Sequence, residues 1–365
     1  MKPGRARIRS VCATRREPLT TLDDYGGWPG ILAILAAGRD IGTGEARAAL
    51  GAILAGEATG AQMAAFIVAL RLKGPSVGEL LGLVGAMRHA ATPLDIPSHA
   101  IDIVGTGGTA GRRAHALNVS TMACFVAAGA GATVCKHGSV KASSTSGAFD
   151  LLDVIGVPIG AAPHEVEQMV RSVGLGFASA KTFHPAMRHV AGVRSQVGIS
   201  TIFNLLGPLC HPGPAQRQVM GVLERSLAPD MAAVLQATGS VRSLVVNGDN
   251  QFDEFSTTGT NLVVDLNEGR VTEYRIEAAD VGLVPARPDE LRGGDPVANA
   301  RILAGILAGE PGPRRDMVVL NAAAGLVVAG VADDLAAGVE AAAAAIDDGR
   351  AAKKFDEVTA STSAS

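Results

Sequence analysis

Residues 105–121, GTGGTAGRRAHALNVST, place two threonines and five glycines or alanines ahead of Arg112 and Arg113, and the run closes on Asn118, Ser120 and Thr121. A strand-like run, AIDIV, leads into it, and a helical pattern follows. At the start of a helix, free N–H groups and the positive end of the dipole favour an anion. Glycines let backbone amides approach phosphate oxygens closely. No Gly-Lys-Ser/Thr closes the loop and the spacing is not GxGxxG, so it is neither of the familiar nucleotide loops. Read alone, the turn serves a phosphate or simple strand–helix packing. One of the three polar residues is expected to cap the helix. The others place hydroxyls where a diphosphate or metal would sit.

Two further groups have the same flavour. Lys136, His137 and Gly138 end the next strand, ATVCKHG, where ligands of open α/β sheets bind. The Ser/Gly-rich loop SVKASSTSGAFD follows and offers more backbone donors. Further on, Asp253 and Glu254 stand side by side within NQFDEFSTTG. Adjacent carboxylates beside hydroxyls suit Mg²⁺, which takes oxygen ligands and shares itself with substrate phosphates. An Asp-Glu pair in isolation also serves as an ordinary solvated turn.

These groups need a scaffold. From Trp28 to about Ala91, apolar residues recur at three- and four-residue spacing, a helical period. Lys73-Gly74-Pro75 ends one helix, and Ser76 with Glu79 forms a capping box for the next. TPLDIPSH reads as the connection out of this lobe. The period then changes: AIDIV, STMACFVAAGAGA and ATVCKHG make a βαβ unit, which implies parallel strands. The alternation continues to SLVVNGD. TNLVVDLNEGRVTEYRI reads as a hairpin with an Asn-Glu-Gly turn, and the remainder is helical. The fold class expected is α/β: a small all-helical N-terminal domain and a larger α/β domain with a mostly parallel central sheet. The expected limits are a disordered tail over 1–25, a helical domain over 26–98 joined by a later helical segment near 185–213, an α/β domain over 99–355 and a second tail over 356–365.

Composition fits two domains in 365 residues. Hydrophobic content is 47% with only 3% aromatic, so the core rests on Ala, Val, Leu and Ile. A net charge of −3 gives no global basic field for nucleic acid. Cys12, Cys124, Cys135 and Cys210 show neither CxxC nor Cys/His metal spacing, which suits a reduced, cytoplasmic protein. No apolar run is long enough to span a membrane. The Arg-rich first 17 residues lack the apolar segment of a secretory signal.

From about residue 30 to 355 the chain resembles the anthranilate phosphoribosyltransferase family, through GEATGAQMAAFIVALRLKG, DIVGTGG, NVST, KHG, SSTSG, HPAMRHVAGVR, TIFNLLGPL, DEFSTTG and RDMVVLNAAAGL in order. The resemblance implies a Mg²⁺-dependent transfer of phosphoribose from phosphoribosyl diphosphate to anthranilate, with two Mg²⁺ ions, as in tryptophan biosynthesis. It implies a homodimer formed through the helical domain. It implies that Gly105, Gly107, Gly108, Thr109, Asn118, Ser120, Thr121, Lys136, Ser143 and Ser144 hold the sugar diphosphate, and that no side chain acts as a covalent nucleophile. Ser120, Asp253 and Glu254 would hold metal. Gly105, His137, Ser139, His184 and Arg194 would face the acceptor, Arg194 at its carboxylate.

The departures lie in the substrate loops. Thr109 stands where the family has Asp, AGRRAHA adds about three residues, and Ala116 replaces Thr. Ser139 and Val140 replace Asn and Arg, Ala148 replaces Ser, and Ser179-Ala180-Lys181 replaces Phe-Ala-Pro. Arg112, Arg113 or Lys141 is the expected substitute for the missing phosphate arginine. Two other functions compete with this one: the same chemistry on another aromatic acid, amine or heterocycle, and a non-catalytic homologue that binds nucleic acid or another partner.

Overall fold

The computed structural model describes residues 21–107, 117–140, 147–249 and 252–361. Four helices open it: α1 (Gly27–Ala36), α2 (Thr43–Ala55), α3 (Gly60–Lys73) and α4 (Val77–Ala90). Their ends follow local chemistry. Gly56 closes α2 in the left-handed region. Ser76 accepts from the Glu79 amide while the Glu79 carboxylate takes the Ser76 amide at 2.7 Å.

The chain then alternates strand and helix: β1 (Ile101–Gly105), α5 (Val119–Gly129), β2 (Val134–Gly138), α6 (Ala148–Val154), α7 (Pro163–Val173), β3 (Leu175–Ser179), α8 (Ala180–Phe183), α9 (Arg188–Val197), α10 (Ile202–Leu209), β4 (Arg217–Gly221), α11 (Ala228–Ala237) and β5 (Arg242–Gly248). The hairpin β6 (Asn261–Asn267) and β7 (Arg270–Ile276) follows, then α12 (Pro296–Leu307), α13 (Pro313–Ala329), α14 (Leu335–Asp347) and α15 (Arg350–Ser361). One seven-stranded sheet results, in the order β3-β2-β1-β4-β5-β6-β7. The first five are mutually parallel, and β6 and β7 run antiparallel at one edge. Glu268 and Gly269 turn the hairpin with positive φ.

Successive strand residues face opposite sides of the sheet, and both sides are covered. Ile103, Val219, Leu244, Val246 and Val263 pack with α5 and α13, whereas Met220, Val222, Val245 and Val264 pack with the N-terminal helices, α10 and α11. The helical lobe therefore shares one continuous core with a face of the sheet. Val190, Ile202, Phe203 and Leu206 of the segment expected near 185–213 join that core.

Both expected tails need correction at their inner ends. A 3-10 turn over Leu22–Tyr25 precedes α1, held by Thr21 and Asp24. At the other end α15 continues to Ser361, because Val358 is fully buried and Lys354 donates to the Val173 carbonyl at 2.7 Å.

Candidate active site

The carboxyl ends of β1, β2, β4 and β5 converge on one edge of the sheet. Gly105 of β1 is in register with Gly221 of β4. Thr106 follows, donating its amide to the Gly221 carbonyl at 3.0 Å and accepting from the Leu223 amide at its hydroxyl. Gly107 then turns with φ +69°, a conformation that favours glycine, and donates its amide to the Asp253 carboxylate at 2.6 Å. The glycine turn and the acidic pair thus meet directly. Gly108, Thr109, Arg112, Arg113, Lys141, Ser143 and Ser144 lie outside the described residues.

Two asparagines fix the acidic pair. Asn321 of α13 is buried and brackets Phe255, accepting from its amide at 3.0 Å and donating to its carbonyl at 2.8 Å. Asn261 does the same for Ser256. The β5 end closes against the loop through paired Gly248 and Phe252 backbone bonds. Asp253 is buried and Glu254 half-buried. Burial raises the Glu254 carboxyl well above its usual range, and the neighbouring Asp253 charge adds to this against the pull of Lys136. Two oxygen donors that repel each other, beside an anion-binding turn, fit a hard divalent cation that would take its other ligands from phosphate and water.

At the start of α5, Asn118 occupies the N-cap position but makes no side-chain cap hydrogen bond, so the expected cap is absent. The helix start is anchored instead by packing, with Val119 and Met122 fully buried. Ser120 receives a hydrogen bond from the Lys136 ammonium at 3.1 Å, and the fully buried Thr121 hydroxyl has no partner among the described residues. Lys136 is itself only 2% exposed and also donates to the Ile103 carbonyl. Its charge is therefore held between β1 and the start of α5, next to the glycine turn.

His137 and His184 sit together with rings 5.1 Å apart, and His211 approaches His137 at 5.8 Å. All three are buried. Burial first, then the neighbouring imidazoles, hold His137 well below the usual histidine range. His184 is lowered to about 4, mainly by burial, with its Nε2 at 2.9 Å from the Cys210 carbonyl. The lowered His137 and His184 rings are neutral at physiological pH, and among the described residues the buried His137 Nε2 has no partner. Ser139 is exposed at the rim. Arg194 projects from α9 with its guanidinium 5.3 Å from the Phe203 ring centre.

Several supporting residues escape a reading of the sequence. Asp102 is buried in β1, accepting from the His137 amide and the Gln218 side chain. A lone acid inside AIDIV is the only available signal. His211 donates through Nε2 to the Cys135 carbonyl at 3.0 Å, with Nδ1 accepting from the Gly213 amide. Nothing local in CHPGP marks this role.

The matching family models are the glycosyl transferase family a/b domain over residues 97–352 and its helical bundle domain over residues 29–91. Among curated proteins, the anthranilate phosphoribosyltransferase of Methylobacterium nodulans is 44% identical, covering 91% of this chain and 98% of its own. That of Rhodospirillum rubrum is 45% identical, covering 91% and 94%. Among solved structures, the anthranilate phosphoribosyltransferase of Thermus thermophilus superposes with a TM-score of 0.85 at 38% identity, over 91% of this chain and 99% of that one. The Saccharomyces cerevisiae enzyme in complex with PRPP and Mg gives 0.83 at 27%, over 93% and 98%.

Proposed function

This chain belongs to the anthranilate phosphoribosyltransferase family, and from that premise we propose that it transfers phosphoribose from phosphoribosyl diphosphate to anthranilate, releasing diphosphate. The observation that carries the reading is the hydrogen bond from the Gly107 amide to Asp253 at 2.6 Å, which joins an anion-binding turn to an acidic pair at one sheet edge. The relatives support anthranilate as acceptor and lend no support to another acceptor or to a non-catalytic role.

In this reading the amine nitrogen bonds to C1′ as the C1′–oxygen bond to diphosphate breaks. The pair of electrons leaves with diphosphate, and the amine loses a proton. The transition state is oxocarbenium-like, so positioning and charge stabilisation suffice without a protein nucleophile. Gly105, Gly107 and Gly108 cradle the sugar diphosphate, with Thr109, Asn118, Ser120, Thr121, Ser143 and Ser144 around its phosphates. Lys136 stabilises the leaving charge from behind Ser120. The neutral His137 and His184, with Ser139, pack the acceptor ring without adding charge, and Arg194 meets its carboxylate.

Bound Mg²⁺ supplies neutralisation of the diphosphate charge. We assign one ion to the Ser120 side and a second to Asp253 and Glu254. The domain limits proposed are a helical lobe to about residue 98 and an α/β domain from 99. The chain is proposed to form homodimers through the helical lobe, where α2 and α4 border an open cleft of about 430 Å³ and Leu72 is 82% exposed. A cytoplasmic location is supported by Cys124, Cys135 and Cys210, which are free thiols. Among the described residues no helix is long and apolar enough to cross a membrane.

The test is diphosphate release by purified protein with phosphoribosyl diphosphate, Mg²⁺ and anthranilate. Turnover at about 1 s⁻¹ or more is expected. Release only with a different aromatic acid, or none with any acceptor, would overturn the reading.

A further inference from the structure

We propose that Phe203 is a positioning residue for acceptor recognition: its ring face fixes the Arg194 guanidinium in the orientation that receives the acceptor carboxylate. The inference rests on the functional reading above and extends it to a residue that touches no substrate.

Arg194 is half-buried on α9. Among the described residues it has no carboxylate partner and no side-chain hydrogen bond; its recorded contact is the Phe203 ring at 5.3 Å. Burial lowers its pKa. A cation removed from water without an anion is costly, and an aromatic face offsets part of that cost through its quadrupole. It does so without consuming any N–H donor, so the fork stays available for a planar carboxylate.

The ring can hold this position because Phe203 is itself fixed. It is 4% exposed, in the first turn of α10, and belongs to the core shared by the helical lobe and the sheet. Thr201 and Asn204 define that turn, the Asn204 side chain accepting the Thr201 amide at 3.1 Å. Between the two helices, Gly198 turns in the left-handed region and donates to the Arg194 carbonyl. The loop therefore brings the Phe203 ring of α10 under the Arg194 side chain of α9. A flexible arginine chain loses rotamer freedom on binding a ligand; a platform that orders it beforehand lowers that loss.

The experiment replaces Phe203 with phenylalanine analogues bearing one, two and five ring fluorines, which weaken the quadrupole at nearly constant volume, alongside Phe203→Leu and Phe203→Tyr. The KM for anthranilate should climb stepwise with fluorination, reaching about three- to tenfold for the pentafluoro ring and for Leu. Tyr should restore the starting value. The KM for phosphoribosyl diphosphate and the unfolding midpoint of the fluorinated proteins should stay constant. In an Arg194→Ala background the fluorine series should have no further effect. A KM for anthranilate that ignores fluorination while Arg194→Ala raises it would overturn the platform. An unchanged KM in Arg194→Ala itself would overturn the carboxylate assignment on which the proposal rests.

Discussion

Gly105 and Asp253 are in contact across the sheet edge: a Cβ on Gly105 would overlap the Asp253 carboxylate and lie 2.6 Å from its main-chain oxygen. Gly221, its register partner, is equally constrained, with a Cβ there overlapping the Asp253 carbonyl and 2.9 Å from the Glu254 amide. The two glycines form the floor on which the acidic loop lies.

Gly105→Ala should therefore act on the loop before it acts on the fold. Pushing Asp253 away breaks its hydrogen bond from Gly107. We expect kcat/KM to fall by about 100-fold or more, a loss of roughly 3 kcal/mol in transition-state binding. Stability should fall by only about 1–3 kcal/mol, as for other overpacked sites. Steady-state kinetics and urea unfolding on the same preparation separate the two.

Asn321→Ala removes the bracket on Phe255 and leaves the Phe255 amide and carbonyl without their side-chain partner. A loss of about 2–4 kcal/mol is expected from the unsatisfied buried groups. The Mg²⁺ concentration for half-maximal activity should rise as the carboxylates lose their fixed spacing. Glu254→Gln should raise that concentration with little change in unfolding free energy, and chelation by EDTA should abolish turnover of the unmodified protein. Metal titrations at saturating phosphoribosyl diphosphate check all three.

Protonation of His184 and His137 sets an acid limit. The ordinary histidine value is 6.5 and His184 in the fold is lowered to about 4, so between these values the unfolded chain binds a proton that the native chain refuses. Stability is fully present above about pH 6.5 and falls as pH drops through this window, by up to about 3 kcal/mol from this residue. His137, also lowered, adds in the same direction. His184→Gln should flatten the pH dependence of unfolding between 6.5 and 4; an unaltered slope would show that the imidazole is already charged in the fold.

Arg112→Ala with Arg113→Ala tests whether the charges in the enlarged loop stand in for the family arginine that Val140 replaces. We expect a rise in the KM for phosphoribosyl diphosphate of about tenfold at low salt, and a smaller one at high salt, where the contribution of the two arginines is itself screened. The KM for anthranilate should hold.

Local chemistry is readable without any coordinates. The Ser76–Glu79 capping box, the left-handed turn at Glu268 and Gly269, and the βαβ period each depend on a few neighbouring residues. The scaffold blocks are equally legible, since strand residues buried on both faces produce runs such as AIDIV. What stays hidden depends on contacts between distant segments. Lys136 reads as a residue at a strand end where ligands bind, but its burial against the Ile103 carbonyl and the Ser120 hydroxyl is not readable from the sequence. Gly221 carries no sequence mark of the loop lying on it. The trio Asn118, Ser120 and Thr121 reads as containing a cap, but Asn118 at the N-cap position makes no side-chain cap hydrogen bond and buried packing anchors the start of α5. Phe203, within TIFNLLGPL, carries no sequence mark of the Arg194 guanidinium that lies over its ring.

The C-terminal helix has a consequence for how the protein is made. Within α5, Gly129 abuts Ala351 of α15 so closely that a Cβ would lie 2.7 Å from the Ala351 backbone, and the Phe355 ring packs on Phe125 at a tilt of 51°, with ring centres 5.6 Å apart. The helix that begins beside the glycine turn thus receives part of its outer cover from α15, an element far downstream in the chain. Until α15 has been made, that part of the apolar back of α5 is exposed on the nascent chain, a surface for chaperones to hold. A stop codon before 350 should yield a chain that aggregates rather than a shorter enzyme.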